Sequence, residues 1–182
     1  MFDVANVEIT NDQAYIKQLD RDLYMVKEGR DFEEKIKNFL ELMNFTNVDG
    51  ARDTLKIGNH KPDVIGVKEG IIFVIECKTA RVHGKKCLRD QLNEFRGKFV
   101  EYRGSLRNHP IYGKFTRTDK STGKKYMDIW FVMATQDIVV TQTDKENMNK
   151  TKPQVRLWED SMIDYYNDLY KKLDAKCPVE YE

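Results

Sequence analysis

Lys61-Pro62-Asp63-Val64-Ile65-Gly66-Val67-Lys68-Glu69-Gly70-Ile71-Ile72-Phe73-Val74-Ile75-Glu76-Cys77-Lys78 decides how this 182-residue chain is read. Two apolar runs flank the turn Lys68-Glu69-Gly70 and predict a β-hairpin. The second run is apolar on both faces until Glu76, which places it inside a covered sheet. If Glu69-Gly70 forms the tight connection, facing residues have numbers that sum to 139, and Asp63 stands across from Glu76. Glu76 and Lys78, two apart on a strand, leave the same face. Opposite charges at the end of an apolar run are costly unless something uses them. Two facing carboxylates with no cation between them repel each other. A divalent metal resolves the conflict, and one or two carboxylates plus water suit Mg²⁺.

Working outward, Asp31 followed by Glu34 resembles an acidic capping box, and Phe32, Ile36, Phe39, Leu40 and Met43 recur at helical spacing. They predict a helix from Asp31 to about Asn44. Taking about 100° per residue from Phe32, Glu33 borders the buried stripe and Glu34 faces solvent, so Glu33 is a candidate third acid. Ala14 to Val26 has mixed periodicity and suits a helix on the outside of the domain. Asn47 to Ile57 holds a strand interrupted by polar residues. Leu88, Leu92, Phe95, Phe99 and Tyr102 mark a second amphipathic helix, with Gln91 at about −60° from Leu88, again bordering the buried face. The Asp119–Gly123 turn suggests an exposed hairpin tip. Asp128–Ala134 reads as another buried strand, and Asp137–Thr141 as one more. Leu157 or Trp158, Met162, Tyr165 or Tyr166, Leu169 and Leu173 build a closing helix.

The order is helix, three strands, helix, strand, then accessory elements, which suits an α/β sandwich with helices on both faces of the sheet. One domain spans residues 1–182: an N-terminal extension over 1–28, a core over 29–142, and a C-terminal helix over 155–175 packed on that core.

Composition agrees. With 40% hydrophobic and 34% charged residues the chain is globular, not disordered. No apolar run approaches the length of a membrane span, and the first ten residues lack a secretion pattern. Cys77, Cys87 and Cys177 have no paired spacing, which suits a reducing cytoplasm and argues against a zinc cluster. The net charge of +1 hides an asymmetry. Between Arg81 and Lys125 stand 13 Lys and Arg against four acids, so this block carries +9 and the remainder −8. Such a block is either a solvated face or the footprint of a polyanion.

Together these residues resemble a known superfamily. Pro62-Asp63, then Glu76-Cys77-Lys78, look like the PD-(D/E)xK motif of restriction-endonuclease-like phosphodiesterases. Gly29-Arg30-Asp31-Phe32-Glu33 is similar to the opening of the first helix in Mrr-like members, and Gln91 with Phe95 resembles the helix glutamine of the Mrr-like and RecB-like branches. The resemblance covers about Gly29 to Ala134 and implies an αβββαβ core with a central mixed sheet.

It also implies a function: a Mg²⁺-dependent nuclease acting on DNA, with Mn²⁺ able to substitute and RNA still open. Asp63, Glu76 and the backbone carbonyl of Cys77 would hold the metal, and Glu33 would reach it directly or through water. Lys78 would orient the attacking water or stabilise developing charge, and Gln91 would help position backbone or water. The basic segment would flank the same cleft, making Lys85, Lys86, Arg89, Arg96, Lys114, Arg117, Lys124 and Lys125 candidate nucleic-acid contacts. Related domains sit beside helicase, methyltransferase or recognition modules in phage defence and repair, so a homodimer or additional domains of a longer parent protein are expected partners.

Plainer readings stand beside these. A non-catalytic nuclease-fold domain that binds nucleic acid is the rival. Glu76 and Lys78 could be a strand-end ion pair, Asp63 a strand-initiating residue, Glu33 a first-turn acid favoured by the helix dipole, and Gln91 an ordinary border residue. His60 receives no role, and Cys77 is expected to pack as a small hydrophobe.

Overall fold

A computed structural model describes residues 27–50, 56–80 and 88–176. The chain runs α1 (27–42), β1 (Thr46–Gly50), β2 (Val64–Lys68), β3 (Ile71–Thr79), α2 (Leu88–Gly97) and α3 (Phe99–Arg107). It continues through a 3₁₀ turn (Gly113–Phe115), β4 (Arg117–Thr118), β5 (Lys125–Tyr126), β6 (Ile129–Gln136), α4 (Gln142–Lys150), β7 (Val155–Glu159) and α5 (Asp160–Lys176). Five strands form one sheet in the order β1-β2-β3-β6-β7.

The hairpin at its centre has the register read from the sequence: Val64 pairs with Ile75 and Ile65 with Val74. Its cause is local. Glu69 (φ 54°) and Gly70 (φ 77°) both take positive φ, the requirement of a two-residue turn whose twist matches the strands. β3 then runs parallel to β6, and β6 parallel to β7, so the sheet is mixed.

Alternation along β3 divides the core. Ile72 and Val74 face one layer, where they pack with Leu92, Phe95, Phe99, Tyr102 and Leu106 of α2 and α3 and with Met148 of α4. Phe73 and Ile75 face the other, against Phe32, Ile36, Phe39 and Leu40 of α1 and Ile163 of α5. Both faces of the sheet are covered by helices, as an α/β sandwich requires. Among the described residues no helix is long and apolar enough to cross a membrane.

Several boundaries differ from the sequence reading. Residues 27–30 are already helical, so Asp31 lies inside α1 and does not cap it. Lys27, Glu28 and Arg30 are good helix formers and carry the helix past the capping signal. The single helix expected from Leu88 through Tyr102 breaks at Lys98, whose N–H bonds to the Phe95 carbonyl three residues back. Gly97, a weak helix former, ends α2 there.

Asp137 takes a left-handed φ of 55° and stops β6, so Asp137–Thr141 is a connection, not a strand. It leads into α4, a helix in a stretch that reads as merely polar, although Thr141 and Asp144 form a capping box there. Val155–Glu159, expected at the start of a C-terminal helix, is β7. It extends the sheet beyond residue 142, and the helix begins only at Asp160. The hairpin tip at Asp119–Gly123 is present, with the Asp119 carboxylate accepting from Ser121 and Thr122. The helix expected over Ala14–Val26, with most of the N-terminal extension, lies outside the described residues.

Candidate active site

The far end of the β2–β3 hairpin from its turn gathers the charged residues. β2 begins at Val64, so Asp63 stands just off the ladder after buried Pro62. Its side chain replaces a backbone acceptor: the Cys77 N–H donates to Asp63 Oδ2 at 2.7 Å. Cys77 itself turns to the α1 face and packs against that core, as expected of a small hydrophobe.

Glu76, next along β3, points to the α2–α3 face and is 4% exposed. Its Oε1 accepts from Lys78 Nζ at 2.9 Å and from Lys98 Nζ at 3.1 Å, while its buried Oε2 has no hydrogen-bond partner. An acceptor left in that state costs about 1–3 kcal/mol. The second oxygen is therefore the acceptor in this cluster that remains open to a ligand.

Burial and charge repulsion place the two acids in one electrostatic field. Burial first, and then the neighbouring Glu76 carboxylate, push Asp63 up to about 7, against the hydrogen bond from Cys77. Glu33 reaches this field from α1. Burial raises its proton affinity, Arg30 opposes the rise, and Glu76 adds to it. Burial depresses the Lys78 ammonium, but Glu76 and its hydrogen bond outweigh that effect, so Lys78 holds its proton more firmly than a free lysine.

Three acids do not close around one point, however. Among the described residues no group of three or more His, Cys, Asp or Glu stands in the geometry of a metal cage. The donor set that fits a dication is smaller: Asp63, Glu76 and the adjoining backbone carbonyl of Cys77. Such a sparse oxygen set would leave several coordination positions of an ion to water.

Gln91 lies by helical spacing on the flank of α2 from which Lys98 reaches Glu76, and its buried Oε1 also lacks a partner. Tyr102, placed in the core by its spacing, brings a third such atom. Its buried hydroxyl has no partner, and burial with the charges of Glu76 and Asp63 keeps the phenol protonated. Lys98 enters the sequence reading only as part of the basic block. The helical projection that selects Gln91 at about −60° puts Lys98 at about −80°, so a signal for it exists.

Among the described residues, Arg89 and Arg96 stand apart from Arg117. Arg89 and Arg96 lie on the opposite flank of α2 from Gln91 and line a groove of about 460 Å³ shared with α4, where Asn147 and Lys150 join them. Arg117 bonds the Glu69 carbonyl and pairs with Asp128, which anchors the β4–β5 hairpin at the turn end of β2–β3. That end is roughly 20 Å from Glu76 at the rise of a strand, so Arg117 does not flank the carboxylates. Lys85 and Lys86 lie outside the described residues. His60 is structural: it pairs with Glu101 at 2.9 Å, and Glu101 also accepts from the Asn59 N–H.

Comparison with known proteins bears on this geometry. Residues 24–110 match the family model of the archaeal Holliday junction resolvase (hjc). This segment contains α1, the β2–β3 hairpin with Asp63, Glu76 and Lys78, and α2 and α3. The architecture and the matched segment define a restriction-endonuclease-like nuclease fold. The match spans just under half of the chain, and together with the architecture it supports a nuclease of the PD-(D/E)xK superfamily.

Two solved structures are similar at low identity. A protein of unknown function, AF1548, is 14% identical over 74% of this chain, with a TM-score of 0.45, and the chain spans 57% of its length. The small subunit (R.BspD6I2) of the heterodimeric restriction endonuclease R.BspD6I is 15% identical over 87% of this chain and 79% of its own, with a TM-score of 0.46. No curated protein matches the chain.

Proposed function

We propose that the chain is a metal-dependent nuclease that hydrolyses phosphodiester bonds in DNA, with Mg²⁺ as the working ion and Mn²⁺ as a substitute. The observation that carries this reading is Glu76 Oε2, buried and unpartnered beside a second carboxylate whose proton affinity is raised. Asp63, Glu76 and the Cys77 carbonyl would hold the ion, with Glu33 acting through water. When bound, the ion would polarise a phosphodiester oxygen and lower the pKa of water.

The protein's own groups have separable tasks. Lys78 keeps its proton, so it serves as a fixed positive charge for the developing negative charge and not as a general base. Gln91 and Tyr102 present unpartnered polar atoms from the covering helices and would orient water or a phosphate oxygen. Arg89 and Arg96, with Lys150, would hold backbone phosphates without reading sequence.

The match to a junction-resolvase family directs the choice of substrate, so a four-way DNA junction is tested beside linear and supercoiled duplex and an RNA control. Cleavage in Mg²⁺ or Mn²⁺ that is lost in both Glu76→Ala and Lys78→Ala supports the reading. Binding without cleavage by the wild-type protein favours instead a nuclease-fold domain that only binds nucleic acid.

A further inference from the structure

Lys98 occupies a position that a structural ion pair does not explain. It is the residue between α2 and α3, 19% exposed at its side chain, and its Nζ lies 3.1 Å from Glu76 Oε1 and 3.4 Å from Glu94 Oε1. Its placement is enforced from both sides. Phe95 and Phe99 are buried with ring centroids 5.0 Å apart, and Phe99 stacks on Phe131 at 3.9 Å. The backbone at Lys98 therefore cannot leave the carboxylate end of β3 without disturbing the core.

Two ammonium groups thus crowd one oxygen of Glu76, and the other oxygen takes none. One lysine suffices to balance one carboxylate. Lys78 is tied to Glu76 by sharing its strand face, whereas Lys98 comes from a separate layer and has an alternative partner in Glu94, which is 63% exposed. A dication arriving between Asp63 and Glu76 would repel both ammonium groups. The Lys98 side chain is the one with somewhere to go, outward along the flank it shares with Gln91 and Glu94.

We propose that Lys98 is a counter-cation for Glu76 that yields to the metal and then contacts the phosphate of the bound nucleic acid. It competes with the ion for Glu76 when the site is metal-free and adds positive charge beside the substrate when the site is loaded. This inference rests on the nuclease reading above.

The test is a calorimetric titration of the full chain with Mg²⁺ and with Mn²⁺, comparing wild type, Lys98→Met and Lys98→Gln, with Glu76→Gln as the reference lacking a full donor. Thermal melts establish that each variant folds, and two neutral replacements of different shape guard against a packing artefact. Metal affinity is expected to rise about tenfold in both Lys98 variants, the scale of one displaced charge contact. Binding of a labelled DNA duplex, measured with the metal present, is expected to fall in the same variants. Opposite movements of the two affinities would not follow from a merely structural lysine. Metal binding by the wild type that is unchanged in both variants overturns the inference and spares the nuclease reading. If neither wild type nor either Lys98 variant binds the ions more tightly than Glu76→Gln does, the nuclease reading itself falls.

Discussion

Replacing Asp63 by asparagine should make the metal-free protein more stable above neutral pH, although it removes a group assigned to the site. The folded protein raises Asp63 from its ordinary 3.8 to about 7, chiefly by burial and then by Glu76. A carboxyl whose folded pKa is raised binds its proton more tightly in the fold. Its contribution is therefore most favourable below the unfolded value and is lost as pH rises through about 7. At about 1.4 kcal/mol per unit, the ceiling on this penalty is about 4 kcal/mol.

The carboxyl keeps some contact with solvent, which screens the penalty to about 2 kcal/mol. In Asp63→Asn the amide oxygen would still accept from the Cys77 N–H. For a domain of this size the gain corresponds to a rise in Tm of roughly 4–8 °C at about pH 8. Thermal melts from about pH 5 to 8 with a chelator present give the profile, and the gain should shrink by more than half at the acid end. Millimolar Mg²⁺ should then stabilise the wild type and not the variant. An Asp63→Asn protein that is less stable than wild type at about pH 8, or equally stabilised at both ends, would refute the argument.

Three further outcomes follow from other parts of the molecule. Arg96→Glu with Lys150→Glu should weaken DNA binding and reduce the dependence of log affinity on log salt by about 2, read by fluorescence anisotropy across a salt series; an unchanged slope would remove the α2–α4 groove from the interface. Gly58→Ala should lower stability by about 1–3 kcal/mol in urea unfolding, because Gly58 has a φ of +66° and an added Cβ would lie 2.5 Å from Ser105 Oγ. Thr141→Ala removes the side-chain cap of α4, and loss of about 1 kcal/mol is expected in the same assay.

The hairpin is the most legible part of the chain because its causes are local. Glu69-Gly70 dictates the turn, the turn dictates the register, and the register puts Asp63 opposite the end of β3 beside Glu76. The alternation that sends Glu76 and Lys78 to one face needs only a strand. The apolar stripes of α1 and α2 likewise follow from spacing.

What escapes such a reading depends on partners distant in sequence. Val155–Glu159 holds a β-branched residue and a tryptophan in a run that also fits a helical stripe, and only the open edge of β6 makes it a strand. The basic block is continuous in sequence, but folding sends Arg96 to the α4 groove and Arg117 to the turn end of β2–β3, because neighbours along the chain diverge onto different elements. Lys98 stands on the Gln91 flank by helical periodicity, yet its contact with Glu76 needs α2 to be laid across β3.

The amino-acid order alone sets the sheet-forming hairpin, the nearness of Asp63 to the end of β3 and the amphipathic faces of the helices, since each follows from backbone periodicity and one turn. Tertiary structure alone decided which oxygen of Glu76 is occupied, how far Glu33 stands from the other acids, and which cations surround them. Those are distances between layers, and they are set by how Phe95, Phe99 and Phe131 pack on one face of the sheet and Phe32 and Ile36 on the other.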